Sequence, residues 1–416
     1  MAPIALLIFA AVYLIIILGE HSPRHLDRPA AALIGAVLMV ITGVLTRAQA
    51  LASIDFATLA LLFGMMIIVH YATASGLLEA LANKLMHYGR TPSQLLWAVC
   101  FTAGVLSALF VNDTICLLMT PLLLVVARRA SLPAVPFLLC LATSSNVGSA
   151  MTITGNPQNM LIGQSSHWSW AGFALRMVPI GIICLLVNGL IVRTVYAKQL
   201  RTPAGVLQSD VVEPTIPFNK KLAVKTIIIT VCLLVGFLAG APMDMVALTS
   251  GTVLLVWANR PPEETFANID WSLLLFFAGL FVVVRGVTVT QTALMNQLVP
   301  QITQHTGTLS GLSAFAGATV IGSNIFGNVP LVMLVRTWMV SAPNAQLLWL
   351  ILAMASTFAG NLTLVGSVAN LIVANGAKNE CPLGFWEFLK AGVPSTVVTV
   401  IIGVCCLYLY KVFGWS

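Results

Sequence analysis

Phe110 to Pro121 reads FVNDTICLLMTP and sets one carboxylate, Asp113, between two long apolar runs. An acid at membrane depth is expensive and is usually kept to carry a proton or a cation. Its neighbours Asn112 and Thr114 bring groups that both donate and accept hydrogen bonds, suited to an uncharged, hydroxyl-bearing ligand. The segment has an echo: Phe326, Gly327, Asn328 and Val329 take the places of Phe110, Val111, Asn112 and Asp113, keeping the asparagine and losing the acid. A second pair of polar interruptions follows the same rule. TITGNPQNMLI from Thr152 falls on TLVGSVANLIV from Thr363, so that Thr152, Gly155 and Asn159 match Thr363, Gly366 and Asn370. Thr154, Asn156 and Ser367 complete the polar content of these breaks. Asn156 can cap a helix that Pro157 opens, because proline lacks the N–H that a first turn leaves unpaired, and Ser367 takes the capping place in the other copy. Asn112-Asp113 and Asn328 likewise precede new helical segments. Four helix N-termini, each with free N–H groups and a partial positive end, are therefore expected to converge.

Such a constellation needs a membrane to be placed in, and composition supplies one. Hydrophobic residues make up 59% and charged residues 8% of 416, with a mean hydropathy of +0.97. A water-soluble chain could not cover that much apolar surface. The runs are continuous, as in Leu6 to Leu18 or Ile227 to Ala239, and do not alternate as barrel strands must. The expected class is an all-α polytopic membrane protein. Met1 to Gly19 lacks a basic start and a small-residue cleavage pattern and reads as a retained first span. The net charge of +7 is spread over short loops without interleaved aromatics, which gives no nucleic-acid surface. The eight cysteines form no CxxC pair or Cys/His cluster, so neither a metal nor a disulfide framework is expected, and no cofactor is called for.

Apolar runs predict spans near residues 3–19, 29–46, 56–74, 95–110, 115–127, 135–151 and 174–196. A polar stretch from Lys198 to Lys221 follows. The second half offers 223–240, 245–258, 271–287, 312–326, 331–340, 347–359, and 368–374 running on to 393–410. At an offset of about 215 residues, Ala32-Leu33 falls on Ala247-Leu248, Gly64 on Gly279, Phe173 on Phe388 and Pro179 on Pro394. The chain thus reads as a duplication: residues 1–197 and 222–416, joined by a cytoplasmic linker at 198–221. The two arms around Asn112, roughly 16 and 13 residues long, are short for full crossings and read as a re-entrant helical hairpin. Five crossings per half remain, and an odd count turns the second half upside down. With hairpins at Asn112 and Asn328, about fifteen of the twenty Lys and Arg fall on one side, which the positive-inside rule makes the cytoplasm. Both termini are then extracytoplasmic. Inverted repeats with paired broken helices are the architecture of secondary transporters, with the substrate held where the breaks meet.

Other readings of the same residues stand beside this one. Asn and Ser at helix breaks cap helices in any protein. Asp113 could serve an ion pair with Arg285 or Arg336 as well as coupling; burial favours the neutral form of a carboxyl, as a proton carrier requires. Cys116, one turn past Asn112, invites thiol chemistry, although buried cysteine usually only packs. His70 is an alternative proton carrier, and Trp168 and Trp170 suit an interfacial belt. A membrane enzyme would need a polar constellation that the 198–221 loop, with only Asp210 and Glu213, does not offer. An ATP-driven pump would need a phosphate loop, and GxxxxGK does not occur.

FVNDTICLLMTP resembles the FxNDxxxxxxTP segment of arsenite permeases; GNVPLVMLV from Gly327 is similar to their second hairpin tip, and VGSVANLI from Val365 to their closing break. GNPQN from Gly155 is also similar to uncharacterised anion permeases. Over essentially the whole chain the sequence is identified as a member of the ion transporter superfamily, which includes ArsB-type arsenite efflux permeases, NhaD-type sodium/proton antiporters and divalent anion:sodium symporters. The resemblance implies an elevator-type transporter of the bacterial or archaeal cytoplasmic (inner) membrane, often a homodimer, in some cases served by a cytoplasmic ATPase subunit. It implies substrate contacts from Asn112, Asn156, Asn159, Asn328, Ser367 and Asn370, to which the neighbouring hydroxyls of Thr114 and Thr154 are added as expected contacts, with Asp113 as the coupling group for protons, or else for sodium. Arsenous acid, uncharged and carrying three O–H groups, suits such a set; antimonite follows. Sodium/proton exchange and sodium-coupled di- or tricarboxylate or other anion transport are the alternatives.

Overall fold

The computed structural model describes residues 2–18, 27–86, 91–201, 217–290, 306–339, 342 and 344–415. Helices account for all the regular structure among them. The first half contains α1 (Ala2–Leu18), α2 (Arg28–Ile41), α3 (Arg47–Ser53), α4 (Phe56–Ala74), α5 (Leu77–Met86), α6 (Pro92–Leu109), α7 (Asn112–Arg129), α8 (Val135–Ser149), α9 (Pro157–Ser166) and α10 (Trp170–Val195). The second half contains α11 (Lys220–Leu238), α12 (Met243–Trp257), α13 (Pro262–Ala267), α14 (Trp271–Thr290), α15 (Leu309–Phe326), α16 (Asn328–Met339), α17 (Ala345–Phe358), α18 (Val368–Ala377) and α19 (Phe385–Val412). Seven of these are long and apolar enough to cross a bilayer by length and composition.

The protein is an all-α polytopic membrane protein built from two inverted repeats, and its side chains carry the symmetry. A Cβ on Gly64 would meet the backbone of Ala247 at 2.4 Å, and one on Gly279 would meet the backbone of Ala32 at 2.7 Å. Each is the other's image at an offset of 215: the glycine of one repeat lets α4 or α14 lie directly on α12 or α2 of the other. Exchange of this kind is what a two-fold relation requires. It recurs at the interior, where α7 packs on α18 and α16 on α9, while α10 meets its own counterpart α19.

The hairpin turn between α6 and α7 is buried, with Phe110 and Asn112 only 5% and 4% exposed. A turn joining two complete crossings would instead emerge at a membrane surface. The arms are longer than the apolar runs indicate, because α6 begins at a Thr91 capping box with Pro92 behind it, and α7 continues through Pro121 to Arg129. Two sequence expectations need correction. Residues 368–374 do not run on into 393–410: α18 stops at Ala377 and α19 starts afresh at Phe385, with Cys381 and Pro382 between them. Asn112 and Asn328 do not precede their helices but open them, since the non-helical backbone belongs to Val111, which is extended, and to Gly327, at a φ of +90°. Residues 202–216 of the polar linker lie outside the described residues.

Candidate functional site

The helix breaks are two copies of one design. After α8 the chain passes through extended Thr152 and a single 3-10 turn, Ile153–Gly155; extended Asn156 then caps α9, its side chain accepting the N–H of Asn159 at 2.9 Å. After α17 the same path runs through Thr363, the turn Leu364–Gly366 and Ser367, which accepts the N–H of Ala369 at 3.3 Å. Breaking a buried helix leaves carbonyls without partners, and each repeat answers with one asparagine. Asn159 Nδ2 donates to the carbonyls of Ser149 and Thr152 at 3.3 and 3.0 Å; Asn370 Nδ2 donates to those of Gly360 and Thr363 at 2.6 and 3.0 Å. In both copies the accepting residues lie ten and seven positions earlier.

Each cap also reaches across the two-fold. Asn156 Nδ2 donates to Thr357 Oγ1 of the second repeat at 3.3 Å, and Ser367 Oγ to Asn146 Oδ1 of the first at 3.0 Å. Asn146 is the hub of the interior. Its Oδ1 also accepts Asn112 Nδ2 at 3.2 Å, and its own Nδ2 donates to Asn361 Oδ1 and Asn370 Oδ1 at 2.9 and 3.0 Å. One amide therefore ties the tip of the first hairpin to the second break. At the second tip, Ser323 Oγ donates to Asn328 Oδ1 at 2.6 Å.

A cavity of about 230 Å³ opens where these parts meet. Its polar lining includes Asn112, Asp113, Asn328, Ser367, Gln158 and Asp270, and Arg28 stands in its wall. Four of the nine residues singled out in the sequence, Asn112, Asp113, Asn328 and Ser367, thus face one space and come from both repeats. Thr114, Thr154, Asn156, Asn159 and Asn370 do not line it. Asn159 and Asn370 bind the breaks, Asn156 caps α9, Thr154 Oγ1 accepts the indole N–H of Trp170 at 3.3 Å, and Thr114 is half-buried on α7. Trp170 itself is buried and stacked on Phe237, so it is a core residue and not part of an interfacial belt, while Trp168 lies half-buried under Arg176. Asp113 makes no ion pair with Arg285 or Arg336; Arg336 pairs with Asp55 at 3.1 Å. Cys116 is fully buried and bonded to Ser145 Oγ at 3.1 Å, and His70 sits edge-on to Tyr71, away from the cavity.

Asn146, Gln158, Arg28 and Asp270 were missed by sequence reasoning. Asn146 had a signal, an amide inside an apolar span two turns before a break. So had Asp270: Ile-Asp-aromatic occurs at Ile54–Phe56 and again at Ile269–Trp271, at the repeat offset. Among the described residues no cluster of three or more His, Cys, Asp or Glu is placed to hold a metal.

Residues 11–359 match the family model described as citrate transporter. The silicon efflux transporter LSI3 of Oryza sativa subsp. japonica is 32% identical, across 91% of this chain and 92% of that one. A Dictyostelium discoideum protein that carries the name arsB is 26% identical, across 93% and 88%. The fold is similar to that of the YdaH transporter of Alcanivorax borkumensis, with a TM-score of 0.62 at 13% identity over 99% of this chain and 97% of the other.

Proposed function

Because the chain belongs to the citrate transporter family, we propose that it is a secondary transporter whose cavity carries a small uncharged oxyacid out of the cell in exchange for protons, arsenous and antimonous acid first among them. One observation carries the choice of substrate. The cavity wall offers neutral amides and hydroxyls from both repeats, but its charged groups are two carboxylates, Asp113 and Asp270, against one guanidinium, Arg28. A citrate anion would meet net repulsion there, whereas an uncharged acid escapes it and can donate to and accept from Asn112, Asn328 and Ser367. The volume agrees, being below the roughly 300–1,000 Å³ typical of drug-sized ligands. The names of the relatives support the class, since silicic acid is, like arsenous acid, an uncharged polyhydroxy acid in neutral water.

Asp113 is the coupling group of this reading. It occupies the place of Val329, so fold symmetry does not ask for an acid at the first hairpin tip. The positive-inside bias supports extracytoplasmic termini, a cytoplasmic linker at 198–221 and a bacterial or archaeal inner membrane. In that topology Arg28 and Asp270 mark the cytoplasmic ends of α2 and α14, and the cavity opens inward. The family's description and Arg28 favour a second reading, a di- or tricarboxylate carrier. Expression in an arsenite-sensitive host separates the two: protection against arsenite and antimonite is expected, and normal sensitivity in cells with verified membrane expression would overturn the oxyacid reading.

A further inference from the structure

The two repeats agree so closely that the places where they differ stand out, and on the first hairpin the differences fall together. Asp55 and Asp270 are images at an offset of 215, and both cap a helix, accepting the N–H of Thr58 at 3.0 Å and of Leu273 at 2.9 Å. Asp55 also holds Arg336 of α16. The position matching Arg336 on the first hairpin is Thr120, which bonds back to the carbonyl of Cys116, and Asp270 forms no ion pair among the described residues. Its charge is left facing the cavity. At the tips, Asn328 Oδ1 accepts Ser323 Oγ, whereas their images Asn112 Oδ1 and Ser107 Oγ are both buried and both without a partner. The same tip carries Asp113, and Asp113 and Asp270 line the same cavity. A freed carboxylate, an added carboxyl and an unpartnered amide oxygen surround one space.

Resting on the assignment of Asp113 as coupling group, we propose that Asp270 is the second acid of the proton path, relaying the coupling proton between Asp113 and water at the cavity mouth. The O–H bond of the Asp113 carboxylic acid breaks as one forms on a carboxylate oxygen of Asp270, directly or through one intervening water. Asp113 is left ionised, and Asp270 then releases the proton to solvent. Asp270 is exposed, as a group exchanging with bulk water must be, and its helix cap uses only one of its two oxygens. The charged and titratable groups around the pair are Arg28 from α2 and Cys116 one turn along α7; the Asp55–Arg336 pair joins α4 to α16, the helix that packs on α14. Helix capping alone does not account for the arrangement, because Asp55 caps equally well and is nonetheless paired.

Asp270→Asn keeps the cap, since asparagine caps as well as aspartate, and removes the relay. In proteoliposomes with an imposed pH gradient and arsenite as the probe, it is expected to slow gradient-driven flux about tenfold and to flatten its pH profile, with unchanged arsenite binding. Asp55→Asn, the matched control, keeps the wild-type pH profile. If Asp113→Asn abolishes coupling while Asp270→Asn keeps the wild-type rate and profile, the relay is wrong and the coupling assignment stands. If Asp113→Asn itself remains coupled, the assignment beneath the relay has failed. Loss of arsenite binding in Asp270→Asn would make Asp270 a substrate ligand and would also overturn the relay.

Discussion

Truncating either asparagine that binds a helix break, Asn159→Ala or Asn370→Ala, should destabilise the protein by a similar amount. Asn159 satisfies the carbonyls of Ser149 and Thr152, both fully or nearly buried. Leaving a buried acceptor without its donor costs about 1–3 kcal/mol, so two give roughly 2–6 kcal/mol. Part is returned, because Asn159 Oδ1 is itself buried without a partner and leaves with the side chain. Asn370 satisfies the buried carbonyl of Gly360 and the half-buried one of Thr363, where water from the neighbouring cavity can substitute. Its loss also removes one of the two acceptors of Asn146 Nδ2. Both balances come to about 2–4 kcal/mol. Thermal unfolding in detergent at pH 8 measures them, and Asn→Asp at each site sharpens the test: an ionised carboxylate cannot donate and would face two carbonyl oxygens, so it should be worse than alanine. Alanine variants within about 0.5 kcal/mol of wild type, or aspartate variants no worse than alanine, would refute the assignment of these side chains to the breaks.

Gly64→Ala and Gly279→Ala should each prevent stable folding, because the added methyl meets backbone atoms that cannot turn aside, whereas Gly317→Ala, with nothing within 4 Å, should be neutral; the monodisperse yield of the three variants checks this. The Asp55–Arg336 pair, with both side chains 22% exposed, lies between a surface and a buried ion pair, and a double-mutant cycle of Asp55→Asn with Arg336→Gln should give a coupling of about 1–2 kcal/mol in unfolding. Additive effects would mean that the two charges do not interact in the folded protein.

Much of this architecture was legible beforehand because the chain states it twice. A lone GNP could be any turn; Thr152, Gly155 and Asn159 repeated as Thr363, Gly366 and Asn370 mark a break that the fold needs in both halves. The caps at Asn156 and Ser367 followed from local backbone chemistry, which depends only on neighbouring residues. What stayed hidden depends on contacts between the halves. Asn159 and Asn370 were read as substrate contacts, yet their amides turn back to carbonyls seven and ten residues earlier, a closure no helical period announces. Asn146 lies in a continuous apolar span, and only the approach of the second repeat makes it a hub. Asp270 lies in a short polar connection, and the cavity it lines forms only when α14 is laid beside α2 and the first hairpin. The stop after residues 368–374 was legible and was passed over: Lys378, Asn379 and Glu380, followed by Pro382, end the apolar run where the helix stops at Ala377.

The most direct test of the central claim compares wild type and Asp113→Asn in everted membrane vesicles, following arsenite accumulation under an imposed proton gradient and arsenite exchange without one. Asparagine keeps the volume and the hydrogen-bonding capacity of the position and removes its titratable charge. The expected result is that the wild type accumulates arsenite against its gradient, while Asp113→Asn exchanges arsenite and no longer accumulates it. Accumulation by Asp113→Asn that still follows the proton gradient, or a wild type that accumulates citrate in place of arsenite, would contradict it.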